Sequence, residues 1–361
     1  MGGPTRLPAG RARIAHACGG ARLMRFRRVP LNDVDWAELD RFADRTHAQR
    51  LPWLNYLTAI GAGQPLVALL EDEGKTIGCF TAMRGKRLGL PVLGSPIPGW
   101  NTGYMGLNLA PEAPRADALH ALSRFAFRDQ GCAYLELSDP MADFDSAAAA
   151  GYSTVKISGF ASDLTLSEDA LFARMASATR RCIRKAEREG VTVEEAAPEG
   201  FAAEFHAQLV EVFARQGLMP TYSRERVEKL IEHVHPSGSL LLLRARAPGG
   251  ESIATGIFAG FGRYSTFWGN GSVTDMLHLR PNQALHWHAM RYWKARGVHL
   301  HDWGGTGDYK KNYGPDEYRY IRQYRSALPW LDQVRGPALK SYKKLRAWRS
   351  RRLAEQQAAA E

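Results

Sequence analysis

Residues 299–314, with the sequence HLHDWGGTGDYKKNYG, constrain the fold of this chain more than any other stretch. A short apolar run that ends at Trp303 is followed by glycines, then by Tyr309 and Lys310, and then by a second Tyr-Gly pair. The apolar run predicts a buried strand, and the glycines predict a turn in which a ligand can approach the backbone closely. Because reactive groups tend to lie on loops held by rigid elements, this pattern is typical of a functional site. An ordinary connection from a strand to a helix, with two surface lysines, would have the same pattern.

Length and composition indicate a folded protein. At 361 residues the chain is long enough for two domains, and its 45% hydrophobic and 24% charged residues are ordinary for a globular protein. No apolar run approaches the ~18 residues that a membrane-spanning helix needs. The four cysteines are scattered without a C-x-x-C pair, which argues against a disulfide framework or a zinc site and favours a reducing compartment. We therefore expect a cytoplasmic protein.

The net charge of +11 is concentrated at the two ends of the chain. Residues 1–28 contain seven arginines and no acid, and residues 336–361 contain seven lysines and arginines against two glutamates. The residues between them, 29–335, are close to neutral. Any attraction to nucleic acid or anionic lipid that follows from the overall charge would therefore come from the ends.

Both ends are predicted to lie outside the folded domains. Residues 1–23 are rich in glycine, arginine and alanine, which suits an organellar transit peptide or a start codon assigned too early; we favour translation from Met24. Residues 336–361 interleave basic residues with Tyr342, Leu345 and Trp348, the pattern of a basic amphipathic helix. Such a helix would contact anionic membrane or an RNA backbone, and a solvated tail would have the same composition.

The chain between the ends is predicted to form two similar series of elements. In the first half we predict a helix at 35–46, a hairpin of strands 66–70 and 76–83, strands at 87–93, 102–108 and 132–137, and a helix at 114–130. In the second half we predict a hairpin of strands 239–246 and 252–260, a strand at 263–270, a helix at 282–296 and a strand at 298–303. In both halves antiparallel strands are followed by a helix, a glycine and a further strand, which predicts two copies of one α/β unit.

A further helix, at 167–189, is predicted between the two copies. Ser167 suits its N-cap, and Gly190 suits its C-terminal end. Its basic residues are Arg180, Arg181, Arg184, Lys185 and Arg188. These side chains would either contact phosphates, for which arginine offers bidentate geometry, or complement the C-terminal end of the helix dipole on a solvated face.

Two motifs resemble those of the FemAB-type aminoacyltransferases and their GNAT-like relatives. The first is DWGG at 302–305 followed by YKKNYG at 309–314, which resembles the family's strand ending in an aspartate and glycines, then Phe/Tyr-Lys and an aromatic-Gly pair. The second is RRCIRKAEREGV at 180–191, which resembles the basic helix, closed by Gly-Val, that opens the family's second domain. The resemblance covers roughly residues 165–326, and the first half of the chain matches only in architecture.

The resemblance implies a fold of the α/β class, layered as in α+β proteins. It implies tandem GNAT-like domains at 24–165 and 166–335, each a mixed, mostly antiparallel sheet flanked by helices. The residues 1–23 would be a disordered or wrongly assigned N-terminus, and 336–361 a basic C-terminal helix.

The resemblance also implies a catalytic residue. Lys310 would stabilise the negative charge that develops on the carbonyl oxygen during acyl transfer, with Lys311 as its competitor. Asp302 would accept a proton or orient the amine, or would only cap the following turn. No G-x-S-x-G elbow or other evident nucleophile occurs, so we expect direct transfer without a covalent enzyme intermediate.

The loop before the helix at 282–296 bears on the acyl donor. GNAT enzymes that use acyl-CoA carry an Arg/Gln-x-x-Gly-x-Gly/Ala loop there, whose amides hold pyrophosphate. This chain has LRPNQA at 279–284, so both glycines are absent and Pro281 lacks an N–H group. We therefore expect no cofactor and, as the resemblance implies, aminoacyl-tRNA as the donor. An acyl-CoA donor is the alternative.

The acceptor that the resemblance implies is a peptidoglycan precursor bearing a diphosphate. Candidate substrate contacts are Tyr309 and Lys311 beside Lys310, Tyr222 and Arg224 at a helix start, Trp268 on a strand, and Trp53 and Tyr104 in the first copy. Each would also be explained as an ordinary core or surface residue. Several histidines lie between 286 and 301, but no acid or cysteine completes a recognisable set of ligands, so no metal is predicted.

We therefore predict a cytoplasmic acyl- or aminoacyltransferase, acting near the inner face of the membrane, that forms an amide on an amine of a cell-envelope or polysaccharide precursor. Its basic C-terminal helix would make peripheral contact with anionic membrane. One alternative is an acyl-CoA-dependent GNAT N-acyltransferase, and another is a non-enzymatic adaptor that binds RNA or lipid through its basic ends.

Overall fold

The computed structural model describes residues 24–220, 222–305 and 307–328, together with Trp330, Ser341, Trp348 and Arg352. The predicted N-terminal extension at 1–23 and almost all of the predicted basic helix at 336–361 lie outside these described residues. The chain forms two compact units. Of the described residues, unit 1 contains 24–161, 303–305 and 316–327, and unit 2 contains 162–220, 222–302, 307–315 and 328.

The described residues form mixed α/β structure. The strands in chain order are β1 (Arg25–Val29), β2 (Gln64–Asp72), β3 (Lys75–Arg87), β4 (Leu90–Ser95), β5 (Gly106–Leu109), β6 (Tyr134–Leu137), β7 (Ser153–Asp163), β8 (Thr192–Glu195), β9 (Leu240–Arg246), β10 (Ser252–Phe261), β11 (Tyr264–Ser272), β12 (Leu300–Asp302) and β13 (Asp316–Ser326). The helices are α1 (Trp36–Leu39), α2 (Leu51–Ala59), α3 (Arg115–Arg124), α4 (Phe144–Ala149), α5 (Glu168–Arg174), α6 (Ser177–Arg188), α7 (Phe201–Ala214), α8 (Arg224–Val234), α9 (Pro281–Ala295) and α10 (Asp308–Lys311).

The two units repeat one order of elements. In unit 1, β2, β3 and β4 are antiparallel neighbours, α3 follows, and β6 then pairs with β4 in the parallel sense. In unit 2, β9, β10 and β11 are antiparallel neighbours, α9 follows, and β12 pairs with β11 in the parallel sense. The predicted α/β fold of two similar copies, each a mostly antiparallel sheet flanked by helices, is confirmed.

The strand β13 follows unit 2 in the chain but belongs to unit 1. It pairs antiparallel with β6, where Gln323 lies opposite Leu137, and with β7, where Tyr320 lies opposite Ile157. The boundaries predicted from the sequence place these residues in the second domain instead. Their hydrogen-bonding partners precede them by more than a hundred residues, and no local pattern encodes such a pairing.

The core of unit 1 lies between its sheet and α3. The helix buries Ala118, Leu119 and Leu122 on one stripe, as its period of 3.6 residues requires. These side chains pack against inward-facing residues of the strands, including Phe26 and Phe80.

The sheet of unit 2 is covered on both faces. On one face α9 buries a stripe that contains Leu285, His286, Ala289, Met290 and Trp293. On the other face lies α7, which buries Phe201, Phe205, Gln208 and Leu209. Their contacts with β11, described below, define the two faces.

Two of the predicted helices are shorter than expected. The helix predicted at 35–46 is helical only over α1. The helix predicted at 167–189 is broken into α5 and α6, although Ser167 does cap its start by accepting a hydrogen bond from the N–H of Ala170. At the break, the N–H of Ala176 donates to the carbonyl oxygen of Asn312, a partner that lies far along the chain. The break is therefore a tertiary effect that helix propensity does not encode.

Among the described residues, no helix combines the length and the apolar character that crossing a bilayer requires.

Candidate active site

Lys310 lies on α10, directly after the glycine-rich stretch, and is half-buried. Its Nζ atom is 5.7 Å from the centroid of the Phe267 ring and 5.8 Å from that of Tyr309. Partial removal from water lowers the pKa of Lys310, and the carboxylate of Asp302 opposes this shift. Lys310 is therefore a cation with reduced hydration that lies beside aromatic rings and within the field of one carboxylate.

The segment that carries Lys310 is fixed to the corner between α5 and α6. The Asn312 carbonyl accepts the Ala176 N–H at 2.9 Å, and Arg174 Nε donates to the Gly314 carbonyl at 3.1 Å. Gly314 has a φ of +69°, and a Cβ atom at this position would collide with the Arg174 carbonyl. This explains why the motif ends in glycine, because only glycine can approach the Arg174 carbonyl so closely.

Asp302 is the last residue of β12 and is almost fully buried. It lies opposite Thr266 in the parallel pair of β12 and β11. From this position its carboxylate acts electrostatically on Lys310, and its predicted role as proton acceptor or amine-orienting group stays a prediction.

A buried histidine, His286, lies beside Lys310, and a second buried histidine, His301, lies beside His286. The sequence analysis considered these histidines only as metal ligands. His286 of α9 packs its ring against Phe267 at 4.7 Å and against Tyr313 at 5.1 Å. His301 of β12 shares a hydrogen bond of 2.9 Å between its Nδ1 and the hydroxyl of Ser265. Burial lowers the pKa of both imidazoles to about 3, and for His286 the neighbouring His301 and Lys310 add to the effect. Both rings are therefore neutral near pH 7, so Lys310 is the cation of this cluster.

A signal for His286 was present in the sequence. It falls on the same stripe of α9 as Leu285, Ala289 and Met290, all of which are buried. A polar residue on an apolar helical stripe is expected to be buried and hydrogen-bonded or functional.

Two consecutive residues of β11, Phe267 and Trp268, point to opposite faces of the sheet of unit 2. Phe267 pairs with β10 on one side of a β-bulge and Gly269 on the other, so Trp268 is the extra residue. Phe267 points towards α9, where it contacts His286. Trp268 points towards α7, where its ring lies 6.3 Å from Phe205. Lys310 and Trp268 therefore lie on opposite faces of the sheet of unit 2.

Tyr222 lies with Trp268 on the α7 face. Their ring centroids are 4.6 Å apart, and Trp268 itself is buried. Arg224, at the start of α8, is exposed and pairs with Glu228 at 2.7 Å. The structure thus brings Tyr222 and Trp268 together, but not beside Lys310. Their predicted role in substrate binding stays a prediction.

Trp53 and Tyr104 belong to unit 1, and both are buried there. The indole N–H of Trp53 donates to the hydroxyl of Thr102 at 3.1 Å. The ring of Tyr104 meets that of Tyr320 edge-on at 4.9 Å. Both side chains contribute to the packing of unit 1, and their predicted role in substrate binding is untested.

The residues that flank Lys310 are accessible. Tyr309 is 48% exposed. Lys311 is exposed and forms an ion pair of 3.1 Å with Asp308, one turn earlier. Of the two lysines in the motif, Lys310 is the one with reduced hydration, so the geometry favours Lys310 over Lys311 as the group that acts on a substrate.

The basic residues of α6 form an open face. Arg181, Arg184 and Arg188 are exposed, and Arg180 and Lys185 are partly buried. Arg184 lies over the Phe172 ring at 5.2 Å, and Arg180 donates to the Ala173 carbonyl. From Arg180 to Arg188 this face extends about 12 Å along the helix. It begins at the corner to which the Lys310 segment is fixed.

The start of α9 is the position at which a GNAT enzyme would hold the pyrophosphate of acyl-CoA. Arg280 takes the N-cap position with a φ of +64°, and Pro281 follows as the first helical residue. The side chain of Asn282 is turned towards β11, where it bonds to Asn270 at 2.9 Å and to Ser272 at 3.3 Å. Pro281 thus supplies no N–H group at this end of α9, and the side chain of Asn282 is engaged with β11. Among the described residues, no group of three or more histidine, cysteine, aspartate or glutamate side chains is arranged to hold a metal ion.

Comparison with known proteins identifies the domain that contains this site. Residues 173–320 match the family model described as an acetyltransferase (GNAT) domain. The matched residues include α6, the basic helix, as well as β11, α9, β12 and the Lys310 segment. The chain is accordingly an enzyme of the acyltransferase type, as predicted.

Solved structures extend the likeness to most of the chain. The crystal structure of FemX superimposes with a TM-score of 0.69 at 14% identity, covering 84% of this chain and 98% of FemX. A conserved protein of unknown function from Bacteroides thetaiotaomicron VPI-5482 superimposes with a TM-score of 0.53 at 10% identity, covering 84% of this chain and 100% of that protein. Among curated proteins, none is significantly similar in sequence to this chain. The predicted resemblance to FemAB-type and GNAT-like proteins is confirmed at the level of the fold.

Proposed function

We propose that the GNAT domain transfers an aminoacyl group to an amine of a cell-envelope or polysaccharide precursor in the cytoplasm, without a covalent enzyme intermediate. The observation that carries this proposal is the position of Lys310. Its ammonium group is partly desolvated, lies within the field of Asp302, and is held on a segment that depends on Gly314. A fixed cation of reduced hydration is the kind of group that stabilises an oxyanion.

Lys310 acts when the amine attacks the carbonyl carbon and negative charge develops on the carbonyl oxygen. It donates a hydrogen bond to this oxygen, and its low hydration strengthens the interaction because little water competes for the charge. The bond from the amine nitrogen to the carbonyl carbon forms, and the bond from that carbon to the donor's oxygen breaks. The proton that the amine loses passes through Asp302 to the departing hydroxyl.

The neutral state of His286 and His301 supports this role of Lys310. If either imidazole were charged, it would repel the ammonium group and compete for the developing oxyanion. Their low pKa values keep the positive charge of the cluster on Lys310.

The donor that fits best carries its acyl group on RNA. The open basic face of α6, formed by Arg181, Arg184 and Arg188, starts at the corner that anchors the Lys310 segment. Phosphates of an aminoacyl-tRNA would be bound by these arginines. The missing N–H group of Pro281 at the start of α9, where a GNAT enzyme would hold pyrophosphate, supports the same choice.

An acyl-CoA donor is the second candidate, and the match to the acetyltransferase (GNAT) family model favours it. A thermal-shift titration separates the two donors, because a ligand that binds only the folded state raises the melting temperature. Stabilisation by uncharged tRNA but not by CoA is the expected result. Stabilisation by CoA alone would indicate that acyl-CoA is the donor, and the proposed role of Lys310 would be unchanged.

Mass spectrometry of envelope precursors tests the function itself. Cells that carry the gene are expected to contain a precursor heavier by one amino-acid residue, and cells without the gene, or with only Lys310→Met, are expected to lack it. An increment equal to an acyl group would indicate the CoA-dependent alternative. Precursors of identical mass in all strains would contradict the proposed acceptor.

A further inference from the structure

The hairpin of β3 and β4 in unit 1 ends in an exposed leucine. Leu88 and Gly89 form a two-residue loop between Arg87 and Leu90, which pair with each other. Leu88 is 95% exposed, and Leu90 beside the loop is 39% exposed. A Cβ atom placed on Gly89 would meet no atom within 4 Å, so the loop projects into open space.

The backbone of this loop does not favour a leucine. Leu88 has a φ of +50° and Gly89 a φ of +80°, the combination of a turn whose first position normally takes asparagine, aspartate or glycine. A bulky apolar residue with positive φ is strained, and such strain is usually retained where a function requires the side chain. The packing of unit 1 supplies no such reason, because Leu88 is almost completely exposed.

A second hairpin of the same unit provides an internal comparison. The loop between β2 and β3 consists of Glu73 and Gly74, with the same φ values of +50° and +80°. The two hairpins therefore have loops of the same length and the same φ pattern. One has a charged residue at the first loop position, as a solvated turn requires, and the other has Leu88.

The charges around the two loops are opposite. Residues 71–73 are Glu-Asp-Glu, whereas Lys86 and Arg87 precede Leu88 and are exposed. No acidic residue occurs anywhere from 74 to 111. The tip of the β3–β4 hairpin thus combines a projecting apolar side chain with adjacent cations and no local acid.

We propose that the β3–β4 hairpin tip docks the protein on an anionic phospholipid surface. Leu88 enters the boundary between headgroups and acyl chains, while Lys86 and Arg87 contact lipid phosphates. An anionic bilayer is complementary to this tip, because its phosphates can bind the two cations and its apolar interior, directly beneath them, can bury Leu88. A nucleic acid or an acidic peptide would bind the cations but would leave Leu88 exposed to water. This surface is distinct from the proposed active site and from the basic residues at 336–361.

Vesicle co-sedimentation of the full chain tests the proposal. Wild-type protein is expected to bind vesicles of mixed phosphatidylglycerol and phosphatidylcholine and not to bind pure phosphatidylcholine. Leu88→Glu is expected to lower the partition coefficient about tenfold or more, because the leucine side chain can no longer be buried. Lys86→Gln combined with Arg87→Gln is expected to lower it about tenfold to thirtyfold at low salt. Leu88→Trp is expected to raise it, since tryptophan favours the membrane interface.

Matched controls separate lipid binding from folding and from other partners. Glu73→Gln changes the equivalent position of the other loop and should leave the partition coefficient unchanged. Leu88→Asn suits the turn, so it should fold at least as well as wild type and still lose binding. Vesicle binding by Lys310→Met should equal that of wild type, which keeps this test independent of the proposed function.

Three results would overturn the proposal. Wild-type protein that does not bind anionic vesicles would refute it. Binding that Leu88→Asn and Leu88→Glu leave intact would assign the lipid contact to another part of the chain, such as residues 336–361. Light scattering that shows a wild-type dimer and a Leu88→Glu monomer would make the hairpin tip a contact between copies of this protein.

Discussion

Units 1 and 2 share an order of elements but differ where the parallel pair of strands ends. In unit 1 the chain leads from β6 into Asp139, whose two carboxylate oxygens accept hydrogen bonds from Arg115 at 3.0 and 3.1 Å. In unit 2 β12 ends at Asp302, and the segment after it presents Lys310 with reduced hydration. The corresponding region is thus closed by an ion pair in one copy and carries an accessible cation in the other.

The charges of unit 1 in this region are used for structure. The fully buried guanidinium of Arg45 donates to the Gln49 carbonyl at 2.8 Å and to Asn108 at 3.2 Å, and it pairs with Asp40 at 3.3 Å. Asp44 in turn accepts from the amide of Asn108 at 2.9 Å. Such a satisfied network rigidifies the unit and offers no group to a substrate. The two copies therefore differ mainly in the residues that follow the second parallel strand, where we propose the reactive site.

Removal of the ion pair in unit 1 should have the largest effect on the protein. Arg115→Met leaves the buried carboxylate of Asp139 without its cation, so we expect the free energy of unfolding to fall by about 3–5 kcal/mol. Urea denaturation measures this change. Arg224→Met removes an exposed ion pair and is the control, with an expected loss below about 1 kcal/mol.

The turnover rate of the folded Arg115→Met protein tests whether unit 1 takes part in the chemistry. Because Arg115 acts only within unit 1, each folded molecule should keep the wild-type rate. A rate as low as that of a Lys310 variant would mean that unit 1 takes part in the chemistry, and the contrast between the units would be lost.

A smaller effect is expected from Gly314→Ala in unit 2. The added Cβ atom would collide with the Arg174 carbonyl and displace the segment that carries Lys310. A displacement of about 1 Å in a catalytic group can lower turnover about 10²-fold. Gly297→Ala is the matched control, because Gly297 also has positive φ, +76°, but a Cβ atom there meets nothing within 4 Å. It should reduce stability by about 1 kcal/mol and leave turnover unchanged. Equal turnover in both variants would show that the anchor is not needed.

The smallest effect concerns Asp44 and depends on pH. Burial, together with the neighbouring Asp139, raises the pKa of Asp44 from 3.8 to about 6, so the folded state binds this proton more tightly than the unfolded state. The stabilisation linked to that proton is complete below pH ~4, falls as the pH rises towards 6, and is absent above it. Asp44→Asn keeps an acceptor for Asn108 without the charge. It should raise the free energy of unfolding by roughly 1–3 kcal/mol at pH 8 and by much less at pH 4. A difference that does not change with pH would contradict this account of Asp44.

Local sequence patterns predicted the parts of the fold that local interactions determine. The stripe of α9, the strand β12 and the glycine-rich turn before Lys310 follow from hydrophobic period and from turn residues. Lys310 and Asp302 were each named as site residues because both lie in one short motif, and their catalytic roles stay predictions.

The parts that were missed depend on partners remote in sequence. The pairing of β13 within unit 1 and the break between α5 and α6 both require contacts between distant segments. Lys310 lies on the Phe267 face because its segment is anchored to the corner between α5 and α6, so its separation from Trp268 also depends on contacts between distant segments.

Single-turnover amide formation by Lys310→Met and Lys311→Met tests the central claim most directly. Methionine keeps the unbranched shape of the lysine side chain but lacks its terminal ammonium group. We expect Lys310→Met to lower the rate of the chemical step by about 10²-fold or more, in line with the loss of an oxyanion donor. Lys311→Met, which removes an exposed lysine paired with Asp308, should change the rate less than about threefold, the effect of an exposed ion pair. Equal rates for Lys310→Met and wild type would contradict the account.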